Sequence, residues 1–243
     1  MSTDTATSSA PAQAFYDDLW TATSRLDQHH KSRIHAIEKV LRTVAPSGRL
    51  KILEPGCGRG LVSKMLARYG EIVGIDQSAV GIELARESVR GLFVVGQLPQ
   101  IDFRGGDFDV CVLSQVIEHL QSEDQFHLLR NIHSCMRPGG VLILTTPNKQ
   151  VSRRMRFVDG ELQPIENWLE PTALRELLNG TGWTVTTMFW CFNFFPVTLS
   201  RWKPLRMIRY LAYDVLRLRV AIEDLMSSWA VGDTTVAVAV RRS

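Results

Sequence analysis

The sequence predicts a doubly wound α/β fold, and three observations predict it. Short apolar runs alternate with helical patterns from residue 50 onward. The first run ends in a glycine-rich turn, Glu54-Pro55-Gly56-Cys57-Gly58-Arg59-Gly60. The second, Glu71-Ile72-Val73-Gly74-Ile75, ends in an acid, Asp76, twenty residues beyond Gly56. Continuous apolar strands separated by helices are parallel strands covered on both faces. Right-handed crossovers then place ligands beyond the strands' carboxyl ends.

The elements follow in order. Residues 1–13, rich in Ser, Thr and Ala, offer little to bury and are expected as a disordered tail. Residues 14–45 form a helical cap: the helix reads from Phe15 to Val44, with Ile34, Ile37, Leu41 and Val44 on one stripe, and Pro46-Ser47-Gly48 breaks it. Strands are expected at 50–54, 71–75, 92–96, 108–113 and 140–145, with helices near 60–69, 78–89 and 122–136. A helix near 171–179 leads to a sixth strand at 183–190, and 234–240 alternates as a seventh. Two segments look added, 149–168 and a helical insertion at 192–230; long connections of that kind serve as lids or substrate walls. Residues 14–243 therefore read as a single domain.

The glycine turn describes a nucleotide site. Glycines let the backbone turn sharply and approach a ligand, and a carboxylate at the next strand end accepts ribose hydroxyls. The spacing is Gly56-x-Gly58-x-Gly60 rather than the dinucleotide pattern G-x-G-x-x-G. Glu54 before it would repel a pyrophosphate but suits a ligand with amino and sulfonium groups, such as S-adenosylmethionine.

Further pieces follow in order: Gly74-Ile75-Asp76, then Gly106-Asp107-Phe108-Asp109, Val116-Ile117-Glu118-His119-Leu120, and Arg137-Pro138-Gly139-Gly140 through Thr145-Thr146-Pro147-Asn148. With the glycine turn, this series resembles the class I S-adenosylmethionine-dependent methyltransferases, and its Val-Ile-Glu-His and Thr-Thr-Pro-Asn pieces lean toward the ubiquinone-pathway O-methyltransferases. The resemblance implies a Rossmann-like seven-stranded sheet, mostly parallel, in the order 3-2-1-4-5-7-6 with the last strand antiparallel. It implies S-adenosylmethionine as cofactor, wrapped by Glu54, Gly56, Cys57, Gly58 and Gly60, with Asp76 on the ribose and Gln77 bordering the adenine. Gln97, with Leu98, stands where such enzymes commonly carry an Asp for the adenine amino group; its carbonyl still accepts that bond. Ser114 and Gln115 follow the fourth strand, where the methyl should sit.

In the ubiquinone-pathway relatives two acids and the His of this stretch are associated with a divalent metal. Here Gln115 replaces the first acid, and no metal is expected, since Mg²⁺ prefers carboxylates and water. His119 is the general-base candidate because imidazole titrates near neutrality; a helix-capping or backbone-bonding histidine is the alternative. Tyr16 and Trp20, one helical turn apart, are candidates to close over the cofactor, with simple packing as the alternative.

The insertion interleaves Phe194, Phe195 and Trp202 with Arg201, Lys203, Arg206 and Arg209. Phe194 and Trp202 are candidate lid residues, and the segment suits an apolar or anionic substrate or a peripheral membrane contact.

Composition narrows the classes. With 243 residues, 45% hydrophobic and 22% charged, the chain is ordinary globular protein. A net charge of +3 does not argue for nucleic acid, and no signal peptide or membrane-length apolar stretch is present, so a cytoplasmic protein is expected. Cys57, Cys111, Cys135 and Cys191 fall in or beside apolar runs and are expected as buried free thiols. The expected activity is methyl transfer to a small or lipid-like acceptor, at oxygen. The alternatives are a tRNA, nucleic-acid or N-methyltransferase, and a non-catalytic cofactor-binding partner. Oligomeric state is not legible.

Overall fold

The structure is a computed structural model that describes residues 9–22, 28–44, 49–100, 106–152, 165–191, 204, 207 and 232–242. Seven strands form one sheet: β1 (Leu50–Pro55), β2 (Gly70–Asp76), β3 (Leu92–Val95), β4 (Phe108–Ser114), β5 (Met136–Pro147), β6 (Trp183–Cys191) and β7 (Thr234–Arg241). Their order is β3-β2-β1-β4-β5-β7-β6. Strands β1 to β5 pair in parallel, and β7 runs antiparallel to both neighbours. Order and reversed strand are those the family resemblance implied.

Alternation along each strand sends neighbouring side chains to opposite faces, so the sheet builds two cores. Ile52, Val110, Ile143 and Val236 pack on one face with Ile37 and Leu41 of α2 (Gln28–Val44), Leu66 of α3 (Ser63–Leu66) and Ile82 of α4 (Ala79–Ser88). Their neighbours Leu53, Cys111, Leu142 and Ala237 face the other way, onto Leu128 and Ile132 of α5 (Ser122–Cys135) and Leu174 and Leu178 of α7 (Pro171–Gly180). A short α6 spans Lys149–Ser152. All four cysteines are buried free thiols.

Three expectations change. The N-terminal helix α1 spans Ser9–Ala22, so it begins inside the stretch read as a tail. Ala10, Ala12 and Ala14 favour helix, and Pro11 lies in its first turn, where the missing N–H breaks no helical bond. The helix expected near 60–69 is only Ser63–Leu66, because Arg68 and Tyr69 donate to the carbonyls three residues back, a tighter winding. Strand β5 starts at Met136, where an irregular pairing with Phe108 extends it backward. The insertion at 192–230 lies outside the described residues apart from Pro204 and Met207.

Candidate active site

The site lies at the carboxyl ends of β1, β2 and β4, where the strand order reverses. Glu54, near the end of β1, is 2% exposed, and Ser63 of α3 donates a 2.5 Å hydrogen bond to its Oε2. Burial pushes its carboxyl up to about 8, against the Ser63 bond, and the charge of Asp76 adds to the rise.

Asp76 ends β2. The backbone N–H of Gly58 donates to its Oδ2 at 2.8 Å, and that of Ser78 to its Oδ1 at 2.9 Å. One carboxylate thus stitches the glycine turn to the start of α4. Burial raises its pKa; the N–H bonds of Ser78 and Gly58 hold the rise back. Gly58 has φ +51°, and a Cβ there would overlap the Trp20 indole.

Helix α1 covers this corner. Its Trp20 lies over Gly58 and against Gly81, Arg59 Nη1 donates to the Trp20 carbonyl at 2.9 Å, and Ser78 Oγ donates to Asp17. One turn earlier, the Tyr16 ring meets the His119 ring edge-on at 6.4 Å. Burial, then the charges of Asp76 and Glu118, push the Tyr16 phenol up to about 12, so it stays neutral.

The loop after β4 carries Gln115 at φ +56°, a left-handed conformation that side chains rarely adopt and that clusters at functional sites. Its backbone N–H donates to the Thr145 carbonyl, while its Nε2 is buried with no hydrogen-bond partner among the described residues. A short 3₁₀ turn, Ile117–His119, follows. Glu118 is 1% exposed and accepts from Thr146 Oγ1 at 3.0 Å; burial raises its pKa, opposed first by His119. His119 Nδ1 lies 3.0 Å from the Ile165 carbonyl. A carbonyl only accepts, so Nδ1 carries the proton and neutral imidazole keeps its lone pair on Nε2. That Nε2 is 3.9 Å from Glu118 Oε1.

Two chambers result. The first, about 310 Å³, is lined by Asp76, Gln77, Gln97 and Leu98 together with Gln121, Asp124 and Ile165. The second, about 350 Å³, is lined by Glu54, Cys57, Ser114 and Glu118, with His30 and Arg33 of α2 and Glu166 and Trp168 completing it. Tyr16, Trp20, Gly56, Gln115 and His119 border both.

The structure thus gathers Glu54, Gly56, Cys57, Asp76, Gln77, Gln97, Leu98, Ser114, Gln115, His119, Tyr16 and Trp20 around one cleft. Gly58 lies beneath Trp20, and Gly60 packs its backbone on Ala85 and Val89 rather than lining a chamber. Phe194 and Trp202 lie outside the described residues. Sequence reasoning passed over Asp124, Arg33, Glu166 and Trp168; only the place of Asp124 in the first turn of α5, of Arg33 in the second turn of α2, and of Glu166 and Trp168 in the added 149–168 segment hinted at them. Among the described residues no group of three His, Cys, Asp or Glu side chains is arranged to hold a metal ion.

The pattern of the methyltransferase domain family matches residues 28–188. The chain belongs to that family. The chain is 31% identical over 163 residues to the mitochondrial ubiquinone biosynthesis O-methyltransferase of Mus musculus, covering 59% of this chain and 44% of that protein. It is 33% identical over 159 residues to the ubiquinone biosynthesis O-methyltransferase of Ruegeria pomeroyi, covering 60% of each. The chain thus spans about half the length of the curated relatives it matches.

Among solved structures, a Pyrococcus horikoshii protein superposes with a TM-score of 0.66 at 18% identity, covering 95% of this chain and 99% of its own. The magnesium protoporphyrin IX methyltransferase of Synechocystis, solved with bound S-adenosylhomocysteine, gives 0.60 at 16% identity, covering 94% of both. These likenesses establish the shared fold. No helix among the described residues is long and apolar enough to cross a membrane.

Proposed function

We propose that this methyltransferase carries a methyl group from S-adenosylmethionine to a hydroxyl of a small-molecule acceptor. The observation that carries the proposal is the pair of chambers meeting at Gly56, Gln115 and His119, with Asp76 on one side and Glu54 on the other. A donor with a nucleoside at one end and an amino acid at the other fits that division. The buried Glu54 carboxyl is ready to ionise against an amine, and the unpartnered Gln115 Nε2 is a donor awaiting an acceptor. When bound, the cofactor supplies a methyl group on an electrophilic sulfonium.

The chain's residues do the rest. Asp76 accepts from ribose hydroxyls with the lone pairs that Gly58 and Ser78 leave free. Glu54 takes the amine and Gln97 and Leu98 border the base. His119 Nε2, left open by the Nδ1 contact to the Ile165 carbonyl, receives the proton of the acceptor hydroxyl, with Glu118 Oε1 3.9 Å away. Tyr16 and Trp20 keep water from the meeting point, so that alignment supplies most of the acceleration. Transfer to oxygen draws its support from the O-methyltransferase names of the relatives and from the placement of this base.

The test is calorimetric titration with S-adenosylhomocysteine, followed by label transfer from methyl-labelled cofactor to hydroxylated aromatics, amines and tRNA. Binding with label on hydroxyl compounds is the expected result. Absence of binding overturns the donor assignment, and label on amines or tRNA alone overturns the acceptor.

A further inference from the structure

The strand β3 ends at Val95, and two residues on, Gln97 carries an amide where the enzymes this sequence resembles commonly carry an Asp. The chamber that Gln97 lines has an acid all the same. Asp124, in the first turn of α5, lines it too. An acid there has an ordinary explanation, the positive end of the helix dipole. Its neighbour Glu123 already meets that need, with a side chain 87% exposed and 3.7 Å from His127. Asp124 is instead half-buried against the chamber, and its carboxylate has no hydrogen bond or ion pair among the described residues.

Helix geometry fixes how α5 faces the β3 turn. Asn131 stands seven residues after Asp124, two helical turns, on the same face. Asn131 Nδ2 donates to the Pro99 carbonyl at 2.8 Å. Leu128, between them, is fully buried in the core against which Leu98 packs. The α5 face that carries Asp124 is thereby fastened to the turn that carries Gln97, and the two polar side chains border the same space.

We infer that Asp124 is the acceptor for the exocyclic amino group of the adenine, taking the place of the acid missing at the β3 end. The inference rests on the S-adenosylmethionine reading above. A carboxylate only accepts hydrogen bonds, whereas the Gln97 amide both donates and accepts. Together they match the edge of a 6-aminopurine, which offers N–H donors beside a ring-nitrogen acceptor. A 6-oxopurine turns a carbonyl oxygen toward the Asp124 carboxylate, leaving two acceptors opposed, so this pair of residues discriminates as well as binds.

The experiment compares calorimetric affinities for S-adenosylhomocysteine and its 6-oxo counterpart, S-inosylhomocysteine. The wild type binds the adenine compound tighter by about tenfold, the scale of one charge-assisted hydrogen bond. Asp124→Asn loses about tenfold for the adenine compound, and its preference narrows because the new amide can donate to the 6-oxygen. Adding Gln97→Asp to that variant restores both affinity and preference. Equal binding of the two compounds by the wild type, or unchanged preference in a folded Asp124→Asn, overturns the inference while leaving the donor assignment intact. A wild type that binds neither compound overturns both.

Discussion

Glu54→Gln separates the folding role of this buried carboxyl from its binding role. The wild-type carboxyl goes from 4.5 in the unfolded chain to about 8 in the fold. A group whose folded value is raised contributes stability that is complete below the unfolded value and is lost as pH rises through the folded one. At about 1.4 kcal/mol per unit, the stability lost relative to the protonated form is about 1 kcal/mol at pH 5, about 3 at pH 7 and about 5 at pH 9. Glutamine never ionises and keeps an acceptor for Ser63. The gap between variant and wild type should therefore widen in the variant's favour by about 4 kcal/mol between pH 5 and pH 9. Denaturant unfolding at each pH reads this directly, without cofactor. At the same time the variant should bind S-adenosylhomocysteine poorly at every pH, since no carboxylate is left for the amine. Parallel stability profiles for the two proteins from pH 5 to pH 9 refute the assignment of Glu54 as a buried acid.

Four further outcomes are expected. Asp76→Ala should raise the calorimetric Kd for S-adenosylhomocysteine by about a hundredfold, the scale of two hydrogen bonds to a charged acceptor; unchanged affinity removes Asp76 from the site. His119→Ala should lower kcat by about 10² or more with cofactor affinity intact, and wild-type turnover would exclude it as the base. Gly60→Ala, which places a Cβ at φ +77° against Ala85 at 3.3 Å, should cost about 1–2 kcal/mol, a fall in Tm of a few degrees by calorimetry. Treatment with EDTA should leave activity unchanged, and recovery on adding Mg²⁺ specifically would contradict the metal-free reading.

The sheet was legible because its strands are short, apolar and interrupted by glycine turns, a pattern that burial on both faces imposes. The corner at Glu54, Gly56 and Asp76 was legible for a related reason: its parts come from consecutive elements, so spacing along the chain mirrors distance in space. Asp124 was not, because it reaches the chamber from a helix almost fifty residues past Asp76, and an acid in a helix's first turn has a commonplace explanation. Arg33 and Trp168 were hidden in the same way, on a helix and a connection whose packing no local pattern states. The start of α1 at Ser9 was missed because a Ser- and Thr-rich stretch with a proline reads as a tail until Phe15, Leu19 and Trp20 give it something to rest on.

The family pattern begins at residue 28, whereas α1 ends at Ala22. The helix that walls both chambers is therefore written in a part of the chain that the shared pattern does not read. Two proteins alike throughout residues 28–188 could differ in which molecules they admit through a few side chains on this one helix. Exchanging Tyr16 and Trp20 between such relatives is accordingly a compact way to reshape both chambers at once without altering any residue of β1 or β2.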